Sequence, residues 1–339
     1  MNTIAGLDIG SHSIKLIELA REGDQVALVA AGSMPTPQKA LTSSLQADTE
    51  SLAVAIKQLI QSTGTKTRTV NLALPESKVF TRVIEVPQLS PRELTSAIKW
   101  EAEQYIPLPL DQVNVDFTVL QDGKNTQTNK MEVLLVAAPK ALVDKYVSIM
   151  ELAELNAVSA ETEIIATSRA VGRSLPNVRT VMIVSLGALS TDIAILRSGI
   201  LMFTRSVSTG GEALTRAIAQ NLDFNLTQAE EYKRAYGLQQ DKLEGKIIAA
   251  AKPIMDTIIQ EIKRAMAFYS EKYKEEHVDT VILSGGTARL PGMVIYMAQA
   301  LNCEVQLANP WVGIAKDARF NVLNTEGANF SIAVGLALR

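Results

Sequence analysis

A short segment near the N-terminus carries the residue types that bind phosphate groups. Asp8-Ile9-Gly10-Ser11-His12-Ser13 separates two apolar runs, so we expect a tight turn between two strands. Such a turn presents successive backbone N–H groups to phosphate oxygens, and its glycine permits the bend. The candidate ligands here are Asp8, Gly10, Ser11, His12, Ser13 and Lys15. The hydroxyls and the His12 amide would donate hydrogen bonds, Lys15 would add positive charge, and Asp8 would hold Mg²⁺ through water. The alternative is a plain hairpin in which Asp8 binds local amides.

Three later segments repeat this combination of glycine with hydroxyl residues. Residues 185–191 form a second strand-to-strand turn, 209–212 precede a helix, and 284–291 follow a strand and open a helix. A helix N-terminus favours an anion, and glycines let a nucleoside approach the backbone. The candidate ligands in these segments are Gly187, Gly210, Gly211, Gly285, Gly286 and Arg289, the last by stacking on a base. Each segment alone could be a structural turn, but four in this order are more specific.

The pattern around these segments predicts two related α/β lobes. The strand–turn–strand pattern of residues 4–20 returns at 181–196, which is the signal of an internal repeat. Residues 211–275, which follow the second copy, are predicted to be helical throughout. The turns of both copies would then face one cleft.

A segment with a different order of predicted strands and helices interrupts the first lobe. A strand at 79–86 leads to Ser90-Pro91-Arg92-Glu93, a capping box that starts a helix. Two strands follow, and a helix over 142–150 is expected to complete the unit. The second and third strands of this strand–helix–strand–strand module are predicted at 113–120 and 131–138, joined by a polar turn at 121–130.

Composition excludes several classes of function. The chain has 33 basic and 36 acidic residues, a net charge of −3, so no global basic field attracts nucleic acid. A single cysteine and two histidines leave no His/Cys zinc cluster and are typical of a reducing compartment. Neither a signal peptide nor an apolar run of about 18 residues is visible, so we expect a cytoplasmic protein that reaches the membrane only through partners.

The order of the glycine segments resembles the actin-like ATPase superfamily over essentially the whole chain. That resemblance implies an actin-like, ribonuclease H-like fold of two lobes that close on ATP and Mg²⁺. It also implies that Glu163 on a first connecting helix faces the attacking water, as the candidate catalytic residue. Glu230 and Lys233 match a Glu-x-x-Lys pair used around the adenosine, although an ordinary i,i+3 ion pair is the alternative. Small residues, Ala333 and Gly335, match the second connecting helix.

Within the superfamily, the inserted module is similar to that of FtsA-like and PilM-like proteins, where it is an SHS2-type subdomain. The run Trp100-Glu101-Ala102-Glu103-Gln104-Tyr105-Ile106-Pro107 looks like the PilM group in particular, as does Glu261-Ile262-Lys263-Arg264. The resemblance implies a cytoplasmic, ATP-binding component of type IV pilus assembly. Its insertion would bind the N-terminal tail of the membrane protein PilN, with pilus ATPases and the platform protein as further possible partners.

These expectations fix a set of domain boundaries. Lobe I is assigned to residues 1–78, 160–176 and 326–339, and the insertion to 79–159. Lobe II is assigned to 177–325, with a helical subdomain at about 212–277. Within the insertion, Trp100 and Tyr105 are the candidate partner-binding residues. Trp100 lies off the apolar stripe of its helix, so it would either anchor a partner peptide or pack against the neighbouring lobe.

One departure from the superfamily bears on activity. The second phosphate turn normally opens with an aspartate that helps to hold hydrated Mg²⁺, and this chain has Ser185 there. We therefore expect ATP binding with weak or absent hydrolysis. The alternatives are an FtsA-like division protein, a carbohydrate kinase of the same superfamily, and a scaffold that binds no nucleotide.

Overall fold

The computed structural model describes residues 2–43, 45–122, 130–175, 178–273 and 276–339. Its strands are β1 (Asn2–Ile9), β2 (Ser13–Glu22), β3 (Gln25–Pro35), β4 (Thr69–Leu74), β5 (Phe80–Pro87), β6 (Val113–Gln121), β7 (Lys130–Pro139), β8 (Asn156–Thr162), β9 (Thr180–Leu186), β10 (Thr191–Arg197), β11 (Ile200–Val207), β12 (Thr280–Ser284), β13 (Glu304–Leu307) and β14 (Ile314–Ala315). Its helices are α1 (Gln46–Thr63), α2 (Pro91–Tyr105), α3 (Lys140–Leu152), α4 (Glu163–Gly172), α5 (Gly211–Leu222), α6 (Leu226–Tyr236), α7 (Lys246–Lys272), α8 (Met293–Leu301) and α9 (Gly327–Ala337).

Two sheets carry the predicted internal repeat. In the described part of the chain, the first sheet has the order β14-β3-β2-β1-β4-β8 and the second β11-β10-β9-β12-β13. In each, an antiparallel meander of three strands pairs through its first strand with a parallel strand, β1 with β4 and β9 with β12. The sequence analysis assigned only two strands to the first copy and left β3 out. We call the first sheet and the helices packed on it lobe I, and the second lobe II.

The connecting helices α4 and α9 cross at very short range between the sheets. A Cβ on Gly335 would overlap the carbonyl oxygen of Ala166, and one on Gly6 would overlap that of Ala333. Only glycine permits such an approach of two backbones. Both helices contact strands of both sheets, so this crossing fixes how the lobes meet.

The inserted module forms a sheet of its own. In the described residues its order is β5-β7-β6, and α2 begins at the predicted capping box, with Ser90 accepting from the Glu93 amide while the Glu93 carboxylate accepts from the Ser90 amide. The buried face of α2 carries Leu94, Ile98 and Ala102, as its periodicity predicts. The predicted turn at 121–130 lies mostly outside the described residues.

The last part of the predicted insertion packs on lobe I. Helix α3, expected to complete the module, places Tyr146, Ile149 and Met150 in one apolar cluster with strands β1 and β4 and helix α1. Strand β8, also within the predicted bounds 79–159, pairs with β4 in the first sheet. The reason is that α3 presents its apolar face to α1, whereas the module's own apolar core is already closed by α2.

The region 211–275 is helical over most of its described residues, as predicted, but breaks divide it into the three helices α5, α6 and α7. Asp223 adopts a left-handed conformation that ends α5, and Gly237 has a positive φ of 52° after α6. At Gly237 a Cβ would also overlap the backbone of Pro291, so glycine is required for both conformation and space. The breaks turn three helices around the buried strands of lobe II.

Candidate functional site

The first and second glycine turns have the same hydrogen-bond geometry. Gly10 N donates to Ser13 O at 3.1 Å, and Gly187 N donates to Ser190 O at 2.9 Å. In each turn the two residues after the glycine have backbone amides with no partner among the described residues. These residues are Ser11 and His12 in the first turn, and Ala188 and Leu189 in the second. Unpaired, accessible amides in succession form the concavity that binds anions.

The two turns differ in the pair of residues that faces across the strands beside each of them. Asp8 pairs across the strands with Lys15 at 3.2 Å, and both side chains are buried. The equivalent cross-strand pair beside the second turn is Ser185 and Asp192, both buried as well. The serine that replaces the expected aspartate therefore faces a carboxylate on the opposite strand. Sequence analysis missed Asp192, although its distance of seven residues from Ser185 equals that from Asp8 to Lys15.

The third and fourth glycine segments converge on the second turn. Gly187 O accepts from Gly211 N at 2.9 Å and from Thr287 Oγ1 at 3.0 Å. A Cβ on Gly210 would lie 2.7 Å from Gly187 O, and one on Gly285, whose φ is +86°, would lie 2.5 Å from Leu186 O. The glycines thus permit close packing of three backbone segments around one turn. The start of α5 points its N-terminal amides into the same region.

Glu230 and Lys233 form a buried network rather than a surface ion pair. Lys233 Nζ donates to Gly211 O at 2.9 Å, to Thr215 Oγ1 at 2.7 Å and to Glu230 Oε2 at 2.6 Å. Burial lowers the pKa of Lys233, and Glu230 opposes that shift. The pKa of Glu230 is lowered, because hydrogen bonds from Lys233 and Thr215 outweigh its burial. The pair holds the glycine segment at the start of α5 in position.

Arg289 lies in the fourth segment but is already engaged. Its two terminal nitrogens both bind the Glu326 carboxylate, one at 2.5 Å, at the start of α9. The side chain is about one-third exposed. The pair uses the edge of the guanidinium, so its planar face stays available for the stacking on a base that was predicted from sequence. Asn329 lies nearer to the glycines, with Oδ1 3.4 Å from a Cβ built on Gly286.

Glu163 sits at the centre of a group of carboxylates. The residue is partly exposed, but burial of its carboxyl raises its pKa well above the usual range, and Asp192, Asp8 and Glu76 raise it further. Burial also raises the pKa of Asp192 to about 6, against hydrogen bonds from Ser206 and Ser190. Asp8 of lobe I and Asp192 of lobe II therefore both act on one side chain. The two turns that they flank therefore lie near Glu163, and we call the region around these three carboxylates the cleft.

The cleft residues fit a hydrated cation rather than a directly bound one. Among the described residues, no group of three or more His, Cys, Asp or Glu side chains could hold a metal ion. Asp8 Oδ1 is buried and has no hydrogen-bond partner there. Magnesium keeps several waters when it binds with substrate phosphates, and such a water would satisfy this oxygen.

The predicted partner residues lie on different faces of the insertion. Trp100 is 72% exposed, which excludes packing against the neighbouring lobe. Tyr105 is half-buried, and the Arg82 guanidinium lies 4.4 Å from its ring centre. A cavity of about 210 Å³ lies where the module joins the first lobe, and neither Trp100 nor Tyr105 is among its lining residues. Its lining comes from residues 77–80, 106–108, Val113, Ala137 and Pro139.

Comparison with known proteins decides the family. The family described as "Type IV pilus assembly protein PilM" matches residues 6–339. The chain belongs to the PilM family. A solved PilM-PilN type IV pilus biogenesis complex has a chain 30% identical to this one, with a TM-score of 0.88 over 99% of this chain and 98% of that chain.

More distant relatives share the actin-like fold. The cell division protein FtsA of Streptococcus pneumoniae serotype 2 is 22% identical over 94% of this chain and 78% of FtsA. MreB 5 of Spiroplasma citri, solved with AMPPNP bound, is 12% identical with a TM-score of 0.54 over 99% of this chain and 95% of MreB 5. The predicted two-lobed, actin-like fold with an insertion is therefore confirmed. Within the described ranges, the helices are too short or too polar to cross a bilayer.

Sequence analysis missed a second residue besides Asp192. Glu76 is 5% exposed, and burial raises its pKa to about 7. Its position directly after Pro75 gave no periodic signal, because it belongs to a short 3₁₀ turn, Glu76–Lys78. A charged residue between a buried strand and the insertion was the only available hint.

Proposed function

We propose that this chain binds ATP with Mg²⁺ between its lobes and binds the N-terminal cytoplasmic tail of PilN on its insertion. It would act at the inner face of the inner membrane, as the actin-like component of the type IV pilus assembly platform. We keep the predicted boundaries of lobe II, end the insertion near Pro139 and extend lobe I to include residues 140–159, since α3 and β8 pack on lobe I.

The observation that carries nucleotide binding is the repeated turn. Two turns from different lobes present unpaired amides, and the carboxylates beside both turns act on Glu163. The glycine segments at the start of α5 and after β12 pack around the second turn, where a nucleoside could approach the backbone. Mg²⁺ would neutralise phosphate charge, with Asp8 holding its water shell, and Glu163 would orient a water. Since the second turn lacks the usual aspartate, we propose weak or absent hydrolysis.

A thermal unfolding titration tests the cleft. Nucleotide that binds only the folded state, at about 100-fold excess over Kd, adds about 2.7 kcal/mol of apparent stability. Ser11 is exposed, so Ser11→Glu places a negative charge in the first turn without disturbing the core. We expect this variant to lose the ATP-dependent rise in melting temperature. The control, Ser62→Glu on the exposed face of α1, should retain it. An equal rise in Ser11→Glu would contradict the site.

The observations that support partner binding are the cavity and the exposed tryptophan. The cavity is lined mainly by apolar side chains, and its lining includes Val113 at the start of edge strand β6, where an extended peptide could enter. Trp100 supplies a large aromatic side chain that no lobe covers. Tyr105, with the Arg82 guanidinium over its ring, directly precedes the lining residue Ile106. The PilM chain of the PilM-PilN complex is similar over nearly its whole length.

A peptide titration tests the partner site. We expect Trp100→Ala to weaken binding of a PilN tail peptide by at least tenfold and to leave the ATP-dependent melting shift intact. Ile295→Ala is the control, because Ile295 is 65% exposed on α8 of lobe II, away from the insertion. Calorimetric titration of both variants measures the difference. Unchanged affinity in Trp100→Ala would remove this residue from the site.

A further inference from the structure

The 3₁₀ turn Glu76–Lys78 joins the two proposed sites. It follows β4, which lies between β1 and β8 in the first sheet, and it leads directly into β5 of the insertion. Its first residue is buried beside the cleft carboxylates, whereas its next residues, Ser77 and Lys78, line the partner cavity. Val79 and Phe80 continue the same lining. One short segment, residues 76–80, therefore contributes side chains to both sites.

Glu76 lies near residues of lobe I, lobe II and the insertion. Apart from burial, the pKa of its carboxyl responds to Thr162 at the end of β8, Asp192 of lobe II and Thr81 of the insertion. Its own backbone amide acts in turn on Glu163. Glu76 Oε2 is buried and has no direct hydrogen-bond partner among the described residues, and the same holds for the Thr81 and Thr162 hydroxyls. The contacts around Glu76 are thus incomplete in this state.

We propose that the Glu76–Lys78 turn transmits nucleotide occupancy to the partner cavity, with Glu76 as the positioning residue that reads the cleft. This inference rests on the proposed function, since it requires both ligands to bind. It adds the physical connection between their sites and the residue on which that connection depends.

The connection is short enough to act mechanically. Binding of phosphates at the cleft would displace Asp192, whose charge acts on Glu76, and Glu163, on which Glu76 itself acts. Because Glu76 shares a backbone turn with the cavity lining, its shift changes the width of the cavity. The start of β5, which follows this turn, is held to lobe II, since Thr204 Oγ1 donates to Thr81 O at 3.1 Å. Two arrangements of one packed element, biased by both ligands, are what coupling between sites requires.

The test measures coupling between two ligands in the full chain. The affinity of the PilN tail peptide is measured with no nucleotide and with saturating Mg²⁺·AMPPNP, and the ratio of the two affinities is the coupling factor. In the unsubstituted protein we expect a factor of about 5 or more, the lower end for coupled sites. At pH 8, where a carboxyl with a pKa of about 7 is mostly charged, Glu76→Gln keeps the shape of the side chain and removes its charge, and we expect the factor to fall to about 1. Each ligand alone should bind within about twofold of its original affinity.

Glu18→Gln is the matched control. Glu18 is as deeply buried in lobe I, but it accepts from the Lys66 and Thr67 backbone amides, far from the insertion. It should keep the coupling factor, whereas a purely structural role of Glu76 would change both affinities and leave the factor intact. Coupling retained in Glu76→Gln overturns the inference, as does an unsubstituted protein that binds both ligands independently. Failure of the unsubstituted protein to bind AMPPNP or the peptide at all instead overturns the proposed function, and the inference with it.

Discussion

At the scale of single residues, the two phosphate turns differ in where they place charge. The first balances a buried aspartate with a buried lysine on the opposite strand, Asp8 with Lys15. The second has a neutral serine facing Asp192, which is held by hydroxyls of Ser190 at 3.1 Å and Ser206 at 2.5 Å. A carboxylate is thus kept in the second turn, on the other strand. The serine hydroxyls fix the Asp192 carboxylate, which can still interact with a hydrated cation but has little freedom to polarise a water. This agrees with the weak hydrolysis that we propose.

The raised pKa of Glu76 predicts how the free energy of unfolding depends on pH. Its pKa is about 7 in the folded chain against an ordinary value of 4.5, so the folded state holds this proton more tightly than the unfolded state. Stability therefore falls as the pH rises from about 4.5 to 7. Glutamine does not titrate, so Glu76→Gln does not lose this stability. Between pH 4.5 and 7 its free energy of unfolding should rise by about 3 kcal/mol relative to that of the unsubstituted protein. Urea unfolding at pH 4.5 and pH 7.5 measures the change, and parallel curves for both proteins would contradict the buried carboxyl.

At the scale of secondary structure, the crossing of α4 and α9 depends on a glycine without spare volume. Gly335→Ala would force its Cβ into the Ala166 carbonyl, and overpacking of this kind costs about 3 kcal/mol or more when backbone must move. Gly172→Ala, at the end of α4, meets nothing within 4 Å and should change stability by less than about 1 kcal/mol. Chemical denaturation of the two variants makes the comparison. Equal stabilities would mean that the helices can separate freely.

The insertion is also fastened to lobe II by polar contacts. Tyr273, just after α7, donates its hydroxyl to Glu132 of β7 at 2.8 Å, and Lys272 pairs with Glu85 of β5 at 3.3 Å. The Arg197 guanidinium lies 4.7 Å from the Tyr273 ring centre. Burial and the adjacent Glu132 raise the pKa of Tyr273, so it remains a donor throughout the usable pH range.

Removing this hydroxyl should weaken the attachment. Tyr273→Phe leaves the buried Glu132 carboxylate without its donor, which costs about 1.5–3 kcal/mol for a hydrogen bond to a charged group. Tyr232→Phe is the control. The Tyr232 ring stacks on Phe224 at 4.9 Å, and within the described residues its hydroxyl forms no hydrogen bond. Hydrogen exchange should show faster opening of β7 in Tyr273→Phe alone. Unchanged protection of β7 would show that the apolar contacts suffice.

At the scale of the whole molecule, the insertion belongs to two cores at once. Val79 and Ala138 join the apolar cluster of lobe I, whereas Leu134 joins that of lobe II with Val181 and Ile183. An element shared between two cores cannot unfold without exposing both. The insertion is therefore a structural bridge as well as a proposed partner site.

This arrangement predicts one cooperative unfolding transition. Differential scanning calorimetry should give a single peak whose calorimetric enthalpy is close to its van't Hoff enthalpy. A partner-binding module that merely hung on lobe I would melt in a transition of its own. Mg²⁺·ATP should move the single peak upward as a whole. Two resolved peaks, only one of which responds to nucleotide, would contradict the shared core.

Local sequence determined the elements whose signals are local. The capping box before α2 and the alternation around Gly10 and Gly187 were sufficient, because hydrogen bonds between neighbours in sequence stabilise those conformations. The internal repeat likewise followed from composition along the chain. The family resemblance added the actin-like fold, which comparison confirmed.

Tertiary structure alone decided which surfaces those elements share. Helix α3 has an apolar face that would fit either the insertion or α1, and only the packed core assigns it to lobe I. Glu76 carries no local pattern, and the spacing of Asp192 from Ser185 does not reveal its burial, which only the packed structure shows. Periodicity records which face of an element is apolar, but burial and long-range electrostatics depend on what that face meets.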